Sequence, residues 1–190
     1  ISVYSREDGS GTRGAFIELF GLEEKDDQGN KVDTTTDAAA ITNSTSVMMT
    51  SVKGDPGAIG YISLGSLDDS VKSLKIDGVE ATADNVKDGS YKIARPFNIA
   101  YKADSLSATA QDFINWILSA EGQAIVTAQK YVAKEPAEYQ AAPVAGKIVI
   151  GGSSSVGPLM QKLEEAYEAL HPEVDIEVQI SDSSTGMRGA

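Results

Sequence analysis

The chain has 190 residues, of which 41% are hydrophobic, and this is enough for one ordinary domain or for two small lobes that share a hinge. Its formal net charge of −12 repels nucleic-acid backbones and anionic membranes, which argues against a nucleic-acid partner. It contains no cysteine and a single histidine, which excludes disulfides, thiolate or multi-histidine metal sites and a cysteine nucleophile, and we expect no cofactor.

In the first half of the chain, short strands alternate with helices, which is typical of an α/β fold. The pattern predicts a strand, a glycine-rich turn, a helix, a surface loop, a second helix and a buried strand, at residues 1–4, 8–12, 15–20, 21–36, 42–53 and 58–64. Asn43 or Ser44 is suited to cap the second helix. Further strands are expected at residues 72–76 and 97–102.

The second half begins with the longest predicted helix, at residues 108–120, which has Ser107 as its cap and a buried stripe that includes Trp116. Residues 133–146 carry two prolines and no periodicity, and we interpret them as a linker. The pattern then predicts a strand, a polar loop, a helix, a strand and a loop entering a helix, at residues 147–150, 151–158, 159–170, 174–180 and 181–190. We expect His171, which precedes a proline, to be a solvated helix end.

Three loops share one plan, in which a strand leads into Ser, Thr and Gly residues and then into a helix; they lie at residues 6–12, 151–155 and 181–186. Small residues let the backbone approach a ligand, hydroxyls donate hydrogen bonds, and the first N–H groups of a helix favour an anion. Each loop alone is an ordinary turn or helix cap. Together they indicate a site for a tetrahedral oxyanion, held by local donors because the net charge repels anions at long range.

Arg6 adds a charge to the first loop. A guanidinium presents a rigid fork that matches two oxygens of phosphate or sulfate. Asp8, two residues later, is placed to hold that fork by accepting from its other N–H groups. The alternative is that Arg6 and Asp8 form a surface ion pair of little energetic weight.

The sequence lacks the motifs of the common phosphate-hydrolysing and nucleophilic enzymes. There is no G-x-x-x-x-G-K-[ST] phosphate loop, no G-x-S-x-G nucleophile elbow, and no histidine near Ser10 or Ser154 to act as a base. We therefore predict a binding protein rather than an enzyme acting on phosphoesters.

Two further segments are short motifs with closely spaced glycines: residues 5–12, SREDGSGT, and residues 55–61, DPGAIGY. They resemble the R-x-D-G-S-G-T motif and the P-G-A-I-G-Y strand entry of the phosphate-binding proteins of bacterial ABC importers. Residues 151–158, GGSSSVGP, are similar to the loop that opens the family's sequence, and residues 183–186, SSTG, to its second loop. The resemblance implies an α/β fold of the type II periplasmic-binding-protein class, with two lobes joined by hinge strands and one phosphate bound in the cleft.

The resemblance also implies roles for individual residues. By motif position, phosphate contacts are expected from Arg6, Ser10, Gly11, Thr12, Ser154, Ser155 and Ser183, with Asp8 orienting Arg6. These donors suit sulfate as well as phosphate.

The order of the segments differs from that of the family, in which the part resembling residues 147–190 comes first. We interpret the chain as circularly permuted, without the family's middle stretch, which carries the aspartate that accepts a proton from phosphate. Asp182 stands where the family usually has a small residue, and its carboxylate is expected to repel an anion. Both chain ends look abrupt, so we expect the chain to be one piece of a split or permuted protein.

On this interpretation the chain has five parts. They are a second-lobe part with the anion loop, crossover or hinge strands, the C-terminal helices of the first lobe, the linker and the start of the first lobe, at residues 1–64, 65–102, 103–132, 133–146 and 147–190. The expected partners are inorganic phosphate, the membrane subunits of an ABC permease, and a complementary chain or a swapped second copy. The expected location is extracytoplasmic, with lipid anchoring before processing. The alternative functions are assembly with a partner chain and binding of another oxyanion such as sulfate.

Overall fold

A computed structural model describes the whole chain, residues 1–190. The chain divides into two compact units. The N-terminal unit comprises Ile1–Pro96 and Asp182–Ser184, and the C-terminal unit comprises Phe97–Ser181 and Thr185–Ala190. The strands are β1 (Ser2–Arg6), β2 (Glu23–Lys25), β3 (Lys31–Asp33), β4 (Ala40–Thr42), β5 (Ala58–Ile59), β6 (Gly146–Ser153) and β7 (Val174–Ser181). The helices are α1 (Gly11–Phe20), α2 (Thr45–Gly54), α3 (Ala83–Lys87), α4 (Ala108–Ile117), α5 (Ala120–Ala128), α6 (Gly157–Leu170) and α7 (Ser183–Gly189), with short 3₁₀ turns at Leu64–Ser66 and Ala103–Ser105.

The N-terminal unit is built around a three-stranded parallel sheet in the order β4, β1, β5. The register places Tyr4 opposite Ala40 and Val3 opposite Ile59. Because β1 and β4 are parallel, their carboxyl ends meet at one edge of the sheet, and α1 and α2 begin just beyond that edge. In open parallel sheets this edge is the usual place for a ligand.

Local sequence sets the boundaries of the helices. Ser10, Ser44 and Ser107 cap α1, α2 and α4, and each hydroxyl accepts a hydrogen bond from the backbone N–H three residues later. Helix α1 ends at Gly21, whose left-handed φ of 66° lets its N–H reach back to the last turn.

The C-terminal unit pairs β6 and β7 in parallel along eight residues each and packs α4 and α6 against them, while α5 packs against α4 and α6. Trp116, Leu163 and Tyr167 are almost completely buried at the centre of its core. Burial of each such side chain contributes on the order of 1.5–3 kcal/mol to folding. None of the helices in the chain combines the length and apolarity that crossing a membrane requires.

The predicted helices in the second half are confirmed, as are the strands now seen as β6 and β7. The predicted strands at residues 72–76 and 97–102 are wrong, and only Ala58–Ile59 is paired within the predicted strand at residues 58–64. The predicted surface loop at residues 21–36 contains the antiparallel hairpin of β2 and β3. A strand requires a neighbouring strand as well as a suitable pattern, and the missing strands have no such neighbour.

The predicted linker is irregular but is not loose. The N–H of Ala137 donates to the carbonyl of Leu118, and the carbonyl of Ala145 accepts from the hydroxyl of Thr109, both at 2.8 Å. The hydroxyl of Tyr139 donates to the buried carboxylate of Asp112 at 2.9 Å. The segment is therefore attached to the C-terminal unit along its length.

His171 ends α6 as predicted, but the expectation of a solvated side chain is wrong. Its side chain is only 11% exposed. Its Nε2 atom lies 3.3 Å from the hydroxyl of Tyr139, and its ring lies against that of Tyr167 with centroids 4.4 Å apart. The following loop turns the ring toward the core, which the Leu-His-Pro sequence alone does not indicate.

Candidate functional site

Arg6 is the central charged group of the candidate site. It is the last residue of the central strand β1 and is only 1% exposed. Its Nη1 atom donates to Thr45 Oγ1 at 3.2 Å, at the first residue of α2. The guanidinium therefore lies at the carboxyl edge of the parallel sheet, where α1 and α2 begin.

Glu7, rather than Asp8, holds the Arg6 fork. Glu7 Oε2 accepts from Nε and Oε1 accepts from Nη2, both at 2.7 Å. The Asp8 side chain is 99% exposed and instead accepts from Arg13 Nη1 at 2.9 Å. This corrects the predicted role of Asp8. The spacing in the sequence did not distinguish the two carboxylates, because which one reaches Arg6 depends on the backbone direction after β1.

Arg13 forms a second cluster of hydrogen bonds, which involves the loop between β1 and α1. Its Nη1 atom donates to the carbonyl oxygen of Arg6 at 2.9 Å, and Nη2 donates to Asp33 Oδ2 at 2.6 Å. Burial alone lowers the pKa of Arg13, but the hydrogen bond and charge of Asp33 outweigh it and hold that pKa above its ordinary value. Arg13 thus fixes the backbone of the loop from β1 to α1. The predictions did not include Arg13, although an arginine three residues after a cap was a usable signal.

Ser10, Gly11 and Thr12 form the entry into α1. Ser10 is buried, and its Oγ accepts from the N–H of Arg13 at 3.3 Å. Gly11 and Thr12 are the first two residues of the helix, so their N–H groups lie at the positive end of its dipole. This places a hydroxyl and helix N–H groups directly after the buried cation of Arg6.

Part of the third loop, Asp182–Ser184, belongs to the N-terminal unit and packs against the loop between β1 and α1. The N–H of Ser184 donates to the carbonyl oxygen of Gly9 at 3.2 Å. Gly9 has a φ of +85°, and a Cβ there would lie 2.6 Å from Asp182 Oδ1. A Cβ on Gly11 would likewise collide with Ser183 Oγ. The left-handed φ favours glycine at position 9, and the side chains of residues 182–184 lie close to both positions, which places Ser183 beside the helix entry.

The second loop lies in the C-terminal unit, where Ser154 and Ser155 are tied to their surroundings. The N–H of Ser154 donates to the carbonyl oxygen of Ser181 at 2.9 Å. Ser155 is fully buried, and its carbonyl oxygen accepts from Tyr131 Oη at 2.6 Å. This loop is rigidly held at the ends of β6 and β7.

The structure contains a buried polar cluster that the sequence did not suggest. Asp112 accepts from Tyr167 Oη at 2.6 Å and from Tyr139 Oη at 2.9 Å. Burial, together with the hydrogen bond and charge of Asp112, raises the pKa of Tyr139 to about 12 and raises that of Tyr167 as well. The cluster joins α4, α6 and the predicted linker, and it serves structure rather than a ligand.

An open pocket of about 310 Å³ lies beside Arg13 rather than at Arg6. Its lining consists of Asp8, Arg13, Thr35, Thr36, Asp37, Ala39 and Ile41. Two carboxylates in this lining disfavour an anion there. No group of carboxylates and histidine in the chain has the arrangement of a metal site.

Comparisons with known proteins place the chain among solute-binding proteins. Residues 1–121 match the family model described as a PBP superfamily domain. Over 191 residues the chain is 58% identical to "Phosphate-binding protein PstS 2" of Streptococcus agalactiae serotype V, an alignment that covers 100% of this chain and 65% of the relative. The chain therefore spans 65% of that relative's length.

Solved structures give the same result. The crystal structure of a phosphate ABC transporter, phosphate-binding protein from Streptococcus pneumoniae TIGR4 has a TM-score of 0.75 and 48% identity, covering 100% of this chain and 74% of that one. A putative phosphate ABC transporter substrate-binding protein with bound phosphate from Clostridium perfringens has a TM-score of 0.64 and 42% identity, covering 71% of this chain and 52% of that one.

Proposed function

The chain belongs to the PBP superfamily, among relatives named as phosphate-binding proteins, and on this premise we propose that it binds inorganic phosphate for uptake by an ABC importer. It binds the anion without changing it chemically. The observation that carries the proposal is the almost completely buried guanidinium of Arg6, placed at the carboxyl edge of a parallel sheet beside the start of α1.

The proposed site combines one charge with directional donors. Glu7 and Thr45 fix the guanidinium of Arg6 in advance, so little ordering entropy is lost when an anion binds. Ser10, Gly11 and Thr12 add a hydroxyl and helix N–H groups, and Ser183 beside Gly11 adds a second hydroxyl. Because Glu7 neutralises Arg6 and the chain is acidic overall, these short-range donors supply the affinity. Ser154 and Ser155 remain predicted contributors on the motif resemblance alone.

Phosphate is proposed over sulfate because of Asp182. Its carboxylate lies against Gly9, in the loop that carries the donors. A carboxylate beside a bound oxyanion accepts a hydrogen bond from the hydroxyl of hydrogen phosphate, whereas sulfate at neutral pH carries no hydrogen to donate and is repelled.

We further propose that the chain assembles with the remaining part of a longer binding protein. The observation that favours this is its coverage of only 65% of the S. agalactiae relative. The alignment runs through 100% of the chain, which supports a segment order shared with that relative, whereas the C. perfringens structure matches 71%. This difference is consistent with a circularly permuted order. The complement is a second polypeptide, a swapped copy or a further segment of the same polypeptide. The proposed membrane partner is an ABC permease, and the binding protein acts outside the cytoplasm, with a lipid anchor before processing.

Calorimetry tests the anion site directly. Phosphate is titrated into the chain with sulfate as competitor, and Arg6→Lys is compared with Arg95→Lys, whose side chain is exposed and pairs only with Glu18. We expect Arg6→Lys to weaken phosphate binding by about 10–100-fold because lysine lacks the fork, and Arg95→Lys to have no effect. Thermal melts check that both variants fold. Equal affinities of the two folded variants for phosphate, or no binding by the unsubstituted chain, would overturn the proposal.

A further inference from the structure

Tyr61 lies beside the candidate anion site but is not among the proposed phosphate contacts. It is the last residue of the motif at residues 55–61, none of which has a place in the proposed site. Its hydroxyl accepts a hydrogen bond from the backbone N–H of Arg6 at 3.1 Å and forms a second hydrogen bond with Ser5 Oγ at 2.8 Å. Ser5 and Arg6 are each only 1% exposed, so the hydroxyl contacts a buried end of β1.

The Tyr61 hydroxyl stands where a longer neighbouring strand would supply a carbonyl oxygen. On the β5 side of β1, the N–H of Ser2 donates to the carbonyl oxygen of Gly57. Alternate N–H groups of a strand point to the same side, so the N–H of Arg6 also points toward the β5 side. Strand β5 ends at Ile59, before it reaches that position. The side chain of Tyr61 therefore continues the hydrogen bonding of the sheet to the last residue of β1.

Packing against two helices fixes the position of Tyr61. Its ring stacks on that of Phe16 in α1, with centroids 4.0 Å apart and an interplanar angle of 7°. A Cβ at Gly60 would lie 2.5 Å from Sδ of the buried Met48, so the chain passes close to α2 just before Tyr61. The hydroxyl is thus held by contacts with α1 and α2, the two helices that begin where β1 ends.

We propose that Tyr61 is a positioning residue for the anion site, and that its hydroxyl holds the backbone of Arg6 so that the guanidinium meets the bound phosphate. This inference rests on the proposed function. Glu7 and Thr45 hold the guanidinium itself, whereas Tyr61 holds the backbone from which that side chain extends. Both must be fixed, because a small displacement of a rigid fork lengthens its two hydrogen bonds to the anion together.

The first test removes the hydroxyl and keeps the ring. In Tyr61→Phe the ring still packs on Phe16, but the N–H of Arg6 loses this acceptor. We expect calorimetry to show phosphate affinity about tenfold weaker than in the unsubstituted chain. Tyr101→Phe is the matched control, because it removes a hydroxyl from a half-exposed tyrosine in the C-terminal unit, and its affinity should be unchanged. Thermal melts check that both variants fold.

A double-mutant cycle separates positioning of Arg6 from a general loss of structure. Tyr61→Phe should weaken phosphate binding by about tenfold when Arg6 is present, but by about twofold or less in the Arg6→Lys chain, which lacks the fork. A role in folding alone would weaken binding equally in both backgrounds. Hydrogen exchange gives a measurement that does not depend on phosphate, and we expect the Arg6 N–H to exchange about tenfold faster in Tyr61→Phe.

Ser5→Ala is a milder variant for the case in which Tyr61→Phe does not fold. It removes the second partner of the Tyr61 hydroxyl, and we expect phosphate binding about threefold weaker; in that case, an unchanged affinity would overturn the inference. With a folded Tyr61→Phe, three results would do so: unchanged affinity, equal losses in the two Arg6 backgrounds, or unchanged exchange of the Arg6 N–H. Each leaves the proposed function intact if the unsubstituted chain binds phosphate, whereas no binding by that chain would contradict the proposed function itself.

Discussion

At the scale of single residues, Glu7 neutralises the positive charge of the buried Arg6 side chain. Glu7→Gln removes one negative charge from a pair whose arginine is almost fully buried. We expect the free energy of unfolding to fall by about 1–3 kcal/mol, because an unpaired buried cation is costly. Asp8→Asn is the matched control, since the Asp8 side chain is exposed and its pair with Arg13 is screened by water.

Urea denaturation of the two variants measures this difference. The control is expected to unfold at the same denaturant concentration as the unsubstituted chain. If Asp8→Asn were as destabilising as Glu7→Gln, the pairing of Glu7 with Arg6 would have no special weight in the stability of the chain.

Asp182 carries the proposed preference for phosphate over sulfate. Asp182→Asn replaces a pure acceptor with a group that also donates, so a protonless anion is no longer rejected. We expect the ratio of phosphate to sulfate affinity to fall by about tenfold or more. Competition calorimetry measures the ratio, with Asp27→Asn in the exposed β2–β3 turn as the control. An equal gain in affinity for both anions would mean that Asp182 only repels negative charge and does not distinguish phosphate from sulfate.

At the scale of elements, local signals in the sequence were sufficient for the longer helices, although the short helix α3 was not predicted. Ser107 and the stripe containing Trp116 predicted α4, because a helix satisfies its hydrogen bonds within itself. The strand predicted at residues 97–102 had an equally clear pattern, yet it is absent because a strand depends on a partner elsewhere in the chain. Glu7 was missed for a similar reason, since its contact with Arg6 depends on backbone direction and not on spacing.

The linker shows how a long-range contact can give order to an irregular segment. The hydroxyl of Tyr139 donates a hydrogen bond to Asp112, which is 27 residues away in the sequence, and no sequence motif predicts this pair. Tyr139→Phe removes the hydroxyl and leaves Asp112 with one hydrogen bond fewer. We expect a loss of about 1 kcal/mol in unfolding free energy and faster exchange of the Ala137 N–H.

Tyr91→Phe provides the comparison for this prediction, because no hydrogen bond involves the Tyr91 hydroxyl. Hydrogen exchange near Ala137 should be unaffected in that variant. Unchanged exchange in Tyr139→Phe would show that the backbone hydrogen bonds alone hold the linker.

At the scale of the whole molecule, the family motifs carried more information than any local pattern. The similarities confirm the predicted family and its type II periplasmic-binding-protein fold, and also a binding rather than an enzymatic role for the relatives. The motifs at residues 5–12 and 55–61 were sufficient for this because each combines two glycines with specific neighbours at fixed spacing. The permuted order and the five predicted parts remain predictions, since they concern how the segments of this chain correspond to those of relatives of which it spans 65%.

The stability of the whole chain should fall in alkali because of the tyrosines around Asp112. The pKa of Tyr139 is raised from 10.0 to about 12, and that of Tyr167 is raised as well, so the folded chain keeps these protons when the unfolded chain has lost them. A raised pKa of this kind contributes stability that is fully present below pH 10 and is lost as the pH rises through 12. We expect urea midpoints to decline over this window, and to decline less steeply in Tyr139→Phe. A decline of equal slope in Tyr139→Phe would place the alkaline sensitivity elsewhere in the chain.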